Sequence, residues 1–259
     1  CSDSAGAKEI NQAIAQACED VTNQKADEYV GWIEVDYDSY LNGDTLSLVL
    51  TKSSNLDDYT EYYAYNLNLT DGTRMSAKEL AKLLVRGVPT AAEDDDDDDE
   101  APPTLELQGG ETAEAALLRV IRRAAAYEFD QSVRYMYDSD FYSSASEDER
   151  QGIYAEFMKY RMQTLADDNI TAELPMYLDD DGELVVAVPI HVMAGGGLYS
   201  TELRPMQTIY QYDAASGRVL NGEDWADNLE DAREAGETLD VMNAERRDLN
   251  LSFDDAVFI

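Results

Sequence analysis

A chain of 259 residues with 44% hydrophobic content can bury one large core or two smaller ones packed together, which excludes disorder along its whole length. Its 55 acidic and 19 basic residues give a formal net charge of −36, which repels phosphate backbones and anionic headgroups. Nucleic acid and flat adsorption to an anionic membrane are thereby excluded as partners, while cationic proteins and divalent metals stay open beside the plainer reading that the acidity keeps the surface soluble.

In chain order, Cys1 is followed by the small polar run Ser2-Asp3-Ser4-Ala5-Gly6-Ala7. That is the pattern of a bacterial lipoprotein after signal-peptide removal, so lipid attachment at Cys1 and a tether over residues 1–7 are expected. No other stretch approaches the ~18 apolar residues of a membrane-spanning helix. A segment over 8–88 opens with a helix from Lys8 to about Tyr29, on whose stripe Cys18 joins Ile10, Ala13, Ile14, Ala17 and Val21 and reads as a small buried thiol. Two cysteines make no disulfide framework. Ile33, Val35 and Tyr37 then alternate with Glu34, Asp36 and Asp38, and the Asn42-Gly43-Asp44 turn leads into Leu46, Leu48 and Leu50, predicting a hairpin with one buried face. A third strand reads from Tyr59 to Leu69, with Tyr63, Tyr65, Leu67 and Leu69 sharing a face. The Asp71-Gly72 turn follows, and Ser76 with Glu79 forms a capping box for a short helix carrying Leu80, Leu83 and Leu84.

Residues 89–103 change character: Glu93, the run Asp94–Asp99, Glu100 and Pro102-Pro103 predict an extended acidic linker or long loop between two segments of similar size. The segment 104–213 starts with helices, one marked by Leu117, Val120, Ile121 and Ala124. Another is capped by Ser146 with Glu149 and bears Ile153, Phe157, Tyr160 and Leu165. Strands then read as Ala172–Leu178, Leu184–Met193 and Tyr199–Asp213, joined by turns at Asp179–Gly182 and Gly195–Gly197. Helices followed by an antiparallel meander predict an α+β fold, with antiparallel sheets packed against helices rather than βαβ alternation. The remainder, 214–259, is an acidic tail, helical around Trp225 and Leu229 or disordered.

The chemistry-bearing inventory is thin. His191 is the one histidine and lies in an apolar strand, so zinc hydrolysis and His-activated nucleophiles lack their imidazoles. There is no Walker run and no G-x-S-x-G elbow. No catalytic residue and no cofactor are expected. Asp179, Asp180 and Asp181 are candidate calcium ligands, although Asp179–Gly182 also makes a satisfactory turn without metal. Tyr59 and Tyr62, with Asp57 and Asp58 beside them, are candidate ligand-binding residues, because an exposed aromatic row can stack on sugars or grip a peptide. The competing reading is that tyrosine favours strands and half of these rings face a core.

The runs Ile10-Asn11-Gln12, Tyr62-Tyr63-Ala64-Tyr65-Asn66-Leu67-Asn68-Leu69-Thr70-Asp71-Gly72 and Ser76-Ala77-Lys78-Glu79-Leu80 resemble an extracellular domain of unknown function. That domain occurs in PdaC-type cell-wall polysaccharide deacetylases, in lysozyme-sensing anti-sigma factors and in lipoproteins of Gram-positive bacteria. The run from Met176 through Val186 is similar to its second half. Where many members carry Gly-Gly-Ala-His, this chain reads Ser53-Ser54-Asn55-Leu56-Asp57-Asp58. The resemblance implies an α+β module outside the cell without chemistry of its own, and the expected membrane anchor is the lipid at Cys1. The expected function is binding or sensing, with cell-wall glycan or peptide, or a cationic protein such as lysozyme, as partner. A carboxylate-based enzyme acting on wall polysaccharide and a calcium-stabilised surface protein are the alternatives.

Overall fold

A computed structural model of the chain describes residues 3–23, 32–54, 60–89, 102–137, 144–191, 198–207, 212–213 and 218–219. In order they form α1 (Ala5–Asn23), β1 (Ile33–Asn42), β2 (Thr45–Ser54), β3 (Glu61–Asn68), β4 (Thr73–Met75), α2 (Ala77–Arg86), α3 (Ala113–Tyr137) and α4 (Glu147–Thr164). Then come β5 (Met176–Leu178), β6 (Leu184–His191), β7 (Leu198–Leu203), β8 (Tyr212–Asp213) and β9 (Arg218–Val219). The strands build a four-stranded sheet β1-β2-β3-β4, a three-stranded sheet β5-β6-β7 and the small pair β8-β9. The fold is therefore α+β, with antiparallel sheets accompanied by helices.

Two compact units emerge, and their division does not fall at the acidic run. One comprises Cys1–Arg119, Thr171–Val188 and Tyr199–Met206; the other comprises Val120–Ile170, Pro189–Leu198 and Gln207–Ile259. Residues 8–88 and 104–213 are thus not separate segments, because β5 and most of β6 return to the first unit. Residues 90–101, which hold the Asp run, lie outside the described residues, as do Gly195–Gly197 and the tail apart from β9.

In the first unit, alternation along β2 and β3 sets the core. Leu50, Tyr65 and Leu67 are buried with Ile10 of α1, and Ala7, Ala13, Ile14, Leu46, Leu48, Tyr63 and Leu69 pack around them. Each fully buried apolar side chain of this size stabilises by about 1.5–3 kcal/mol. The helix starts earlier than its apolar period suggested. Gly6 donates its N–H to the Gly72 carbonyl at 3.0 Å, and a Cβ on Gly6 would sit 2.5 Å from the Arg74 nitrogen. Residues 4–7 are consequently docked on the β3–β4 turn and do not form a free tether. Cys18 is exposed rather than buried; the α1 side chains that pack in this core cluster, Ala7, Ile10, Ala13 and Ile14, all precede it, where the helix lies over β3 and β4.

The same placement overturns the expected burial of β1. Val35, Tyr37 and Leu41 share the α1 face with Leu50 and Leu46 across the register, yet they are 38%, 69% and 59% exposed. β1 is an edge strand beyond the reach of α1.

The opposite face of this sheet meets the second one. Val49 packs with Tyr177 and Val185, and the rings of Tyr40 and Tyr177 stack with centroids 5.6 Å apart. Buried polar side chains join the two sheets. The Leu178 N–H donates to Ser47 Oγ at 3.1 Å, Ser47 Oγ donates to Asn66 Oδ1 at 2.8 Å, and Asn66 Nδ2 donates to the Met176 carbonyl at 2.8 Å. Asn42 Nδ2 likewise donates to the Asp179 carbonyl at 2.7 Å. β5 is the edge of its sheet, and because residues 175 and 179 bond toward β6, residues 176 and 178 turn their backbone groups away from it, so Ser47 and Asn66 satisfy groups that no strand reaches among the described residues.

The second unit packs α3 from Val120 onward against α4. Phe129 meets Phe157 edge-on at 5.1 Å, and Tyr154 lies 6.3 Å from Phe157. The buried face of α4 is Tyr154, Phe157, Met158, Arg161 and Thr164, one position away from the expected Ile153 and Tyr160. The Ser146–Glu149 box closes in both directions, while at Ser76 the Glu79 carboxylate accepts both the Ser76 N–H and its hydroxyl.

Candidate functional site

The first unit carries a groove of about 560 Å³ beside β3, bordered by α1, the start of α2 and residues 172–176. It exists because β4 pairs with Asn66–Asn68 of β3, leaving the stretch before Asn66 without a neighbouring strand on that side among the described residues. Tyr62, Tyr63 and Tyr65 line it. Arg74 lies over the Tyr65 ring at 5.3 Å from its centroid and bonds Glu9 Oε1 at 2.8 Å. Tyr63 donates its hydroxyl to Glu61 Oε2 at 2.7 Å, and Lys52 pairs with Glu61 Oε1 at 2.7 Å. The bonds from Lys52 and then Tyr63 hold the Glu61 carboxyl below the usual range. Burial pushes the Tyr62 phenol up, with the Glu202 charge adding to it. Ser76 gives its hydroxyl to Glu79 Oε2 at 2.8 Å, so it is a cap and not an activated nucleophile.

Tyr62 is thus in a groove, but half-buried, with part of its ring packed on the second sheet. The side chains of Tyr62, Tyr63 and Tyr65 pack on the core and also line the groove. Asp57, Asp58, Tyr59 and Cys1 lie outside the described residues.

The second feature is acidic. Tyr40 is pushed up by burial and then by the charges of Asp38, Asp180, Glu202 and Asp179. Tyr177 beside it donates its hydroxyl to Glu202 at 2.6 Å, and burial together with that bond holds the phenol protonated far above its ordinary range. Asp38 and Asp180 are exposed to solvent.

Asp179, Asp180 and Asp181 do come together, with one oxygen of each within 4.8 Å of the others. Asp179 is however committed: Oδ1 accepts the Glu183 N–H at 2.9 Å, and Oδ2 accepts Arg204 Nε and Nη2 at 3.1 and 2.9 Å. Arg204 also reaches Glu183 Oε2 at 3.3 Å. The Arg204 guanidinium competes for the buried carboxylate that a calcium ion would share, and its bonds anchor the Asp179–Gly182 turn without metal.

In the second unit, His191 borders an open depression of about 700 Å³ with Lys159, Gln163 and Asp168. Its backbone N–H donates to Thr164 Oγ1 at 3.0 Å. Burial lowers the imidazole's pKa, opposed by Asp168.

The sequence reading missed the Arg204–Asp179 anchor, the Arg74–Glu9 pair and the Glu202–Tyr177 bond. Each joins residues distant along the chain, and no local spacing signals them. Compared with known protein families, characterised proteins and solved structures, the chain matches none.

Proposed function

We propose that this chain is a non-catalytic binding or sensing module working outside the cell, and that its partner is a cationic polypeptide. The observation that carries the reading is the gathering of Asp38, Asp180 and Glu202 around Tyr40, with Glu34 and Asp36 exposed on the same strand as Asp38. Such a face raises the local concentration of a basic protein and accelerates its encounter. The groove beside β3 offers the same partner, or the peptide of a cell-wall fragment, an aromatic and polar wall. Its one hydroxyl at the start of α2 is held by Glu79, and neither His nor Cys is among its described lining residues, which fits recognition better than covalent chemistry.

The charge variants Asp38→Lys and Asp180→Lys test the reading. Both side chains are exposed, so melting temperature is expected to stay unchanged while capture of lysozyme falls roughly tenfold for the pair. Capture equal to that of the unaltered protein would reject the acidic face as the binding surface.

A further inference from the structure

We propose that the open edge of β1 is a docking strand for an extended polypeptide segment that alternates basic and apolar residues; this rests on, and narrows, the reading of the chain as a binder of cationic polypeptides. The backbone direction follows from the hairpin. Asn42 and Thr45 flank the two-residue Gly43-Asp44 turn and form its closing pair, and that pair exchanges hydrogen bonds in a two-residue hairpin. Counting back from it, Leu41, Ser39, Tyr37 and Val35 direct their N–H and C=O groups away from β2. The Tyr37 N–H confirms the direction independently, since it donates at 2.8 Å to the exposed carboxylate of Asp36 rather than into the ladder. No strand pairs with this side of β1 among the described residues.

Side chains add the specificity. On one face the outward-bonding residues present Val35, Tyr37 and Leu41, exposed by 38%, 69% and 59%. On the other face Glu34, Asp36 and Asp38 are exposed, and none pairs with a cation among the described residues. A second copy of this chain is a poor occupant, because edge-to-edge pairing of two β1 strands would set three acids against the same three acids on one face. A segment with apolar residues on one face and Lys or Arg on the other meets both faces with the complementary chemistry, while its main chain completes the ladder.

The test uses the full chain and a synthetic peptide of alternating Lys and Val long enough to span β1. Its control is the same peptide N-methylated on the residues that would pair, which keeps charge and composition but removes donors. The protein variant is Ser39→Pro, which removes one outward N–H and no bond to β2. The unaltered chain is expected to bind the Lys-Val peptide, to slow amide exchange at Val35 and Ser39, and to lose at least about tenfold in affinity with either change. If the methylated peptide and the Ser39→Pro protein both bind as tightly as their parents, edge docking is overturned and the acidic-surface reading survives. If Ser39→Pro fails to fold, the methylated peptide against the unaltered protein decides alone. Absence of binding by the Lys-Val peptide and by lysozyme alike overturns both.

Discussion

Ser47, Asn66 and Asn42 do more for this fold than their residue types suggest, since Ser47 and Asn66 bond backbone groups on the open edge of β5 and Asn42 bonds the Asp179 carbonyl just after it. Ser47→Ala leaves the Leu178 N–H and the Asn66 Oδ1 without this partner in a buried interface, and a loss of about 1–3 kcal/mol in urea unfolding is expected. A loss below about 0.5 kcal/mol would show that the interface rearranges freely. His191 gives a pH signature. Its folded pKa lies below the ordinary 6.5 because of burial, so the folded state binds fewer protons there than the unfolded one. Its contribution is complete above the unfolded value and is lost as pH falls through 6.5 toward the folded pKa. His191→Gln should flatten the decline in melting temperature between about pH 7 and pH 5; an unchanged decline would place its origin elsewhere. Carboxylates held low by hydrogen bonds, Glu61 among them, act only at more acid pH.

Among the elements, those whose partners are local in sequence were legible. The two capping boxes, the Asp71-Gly72 turn and the shared face of Tyr63, Tyr65, Leu67 and Leu69 follow from spacing alone. The Asp71 carboxylate receives the Thr73 N–H at 2.9 Å, and Gly72 holds φ at +69°. What spacing could not show is where a face ends. β1 has the same alternation as β2, but α1 lies over β3 and β4, so identical patterns end up on opposite sides of the solvent boundary. β4 was missed because three residues are too few to show a period, and the site was harder still: Tyr62 was found as a residue, but the groove it lines needs Glu9, Arg74 and Pro175 from distant stretches. Gly72→Ala tests the docking of α1. A Cβ there would approach the Ser4 Cβ to 2.4 Å at a backbone angle unfavourable to other residues, so about 1–3 kcal/mol should be lost and the Gly6 amide should exchange faster. Unchanged protection at Gly6 would mean the helix start is held by something other than this turn.

For the molecule as a whole, charge joins the sequence to the proposed function. A net charge of −36 opposes compaction through self-repulsion, and the fold carries it by keeping acids such as Glu34, Asp36, Asp38 and Asp180 at the surface while pairing the buried Asp179 with Arg204. A cationic partner relieves that repulsion as it binds, so its affinity must depend on salt. The most direct measurement is the association constant for lysozyme over a series of salt concentrations, with the full chain. Binding that is tight at low salt and weakens steadily as salt rises, with a shallower dependence for the Asp38→Lys and Asp180→Lys pair, is the predicted result. No binding at low salt, or binding indifferent to salt, would contradict it.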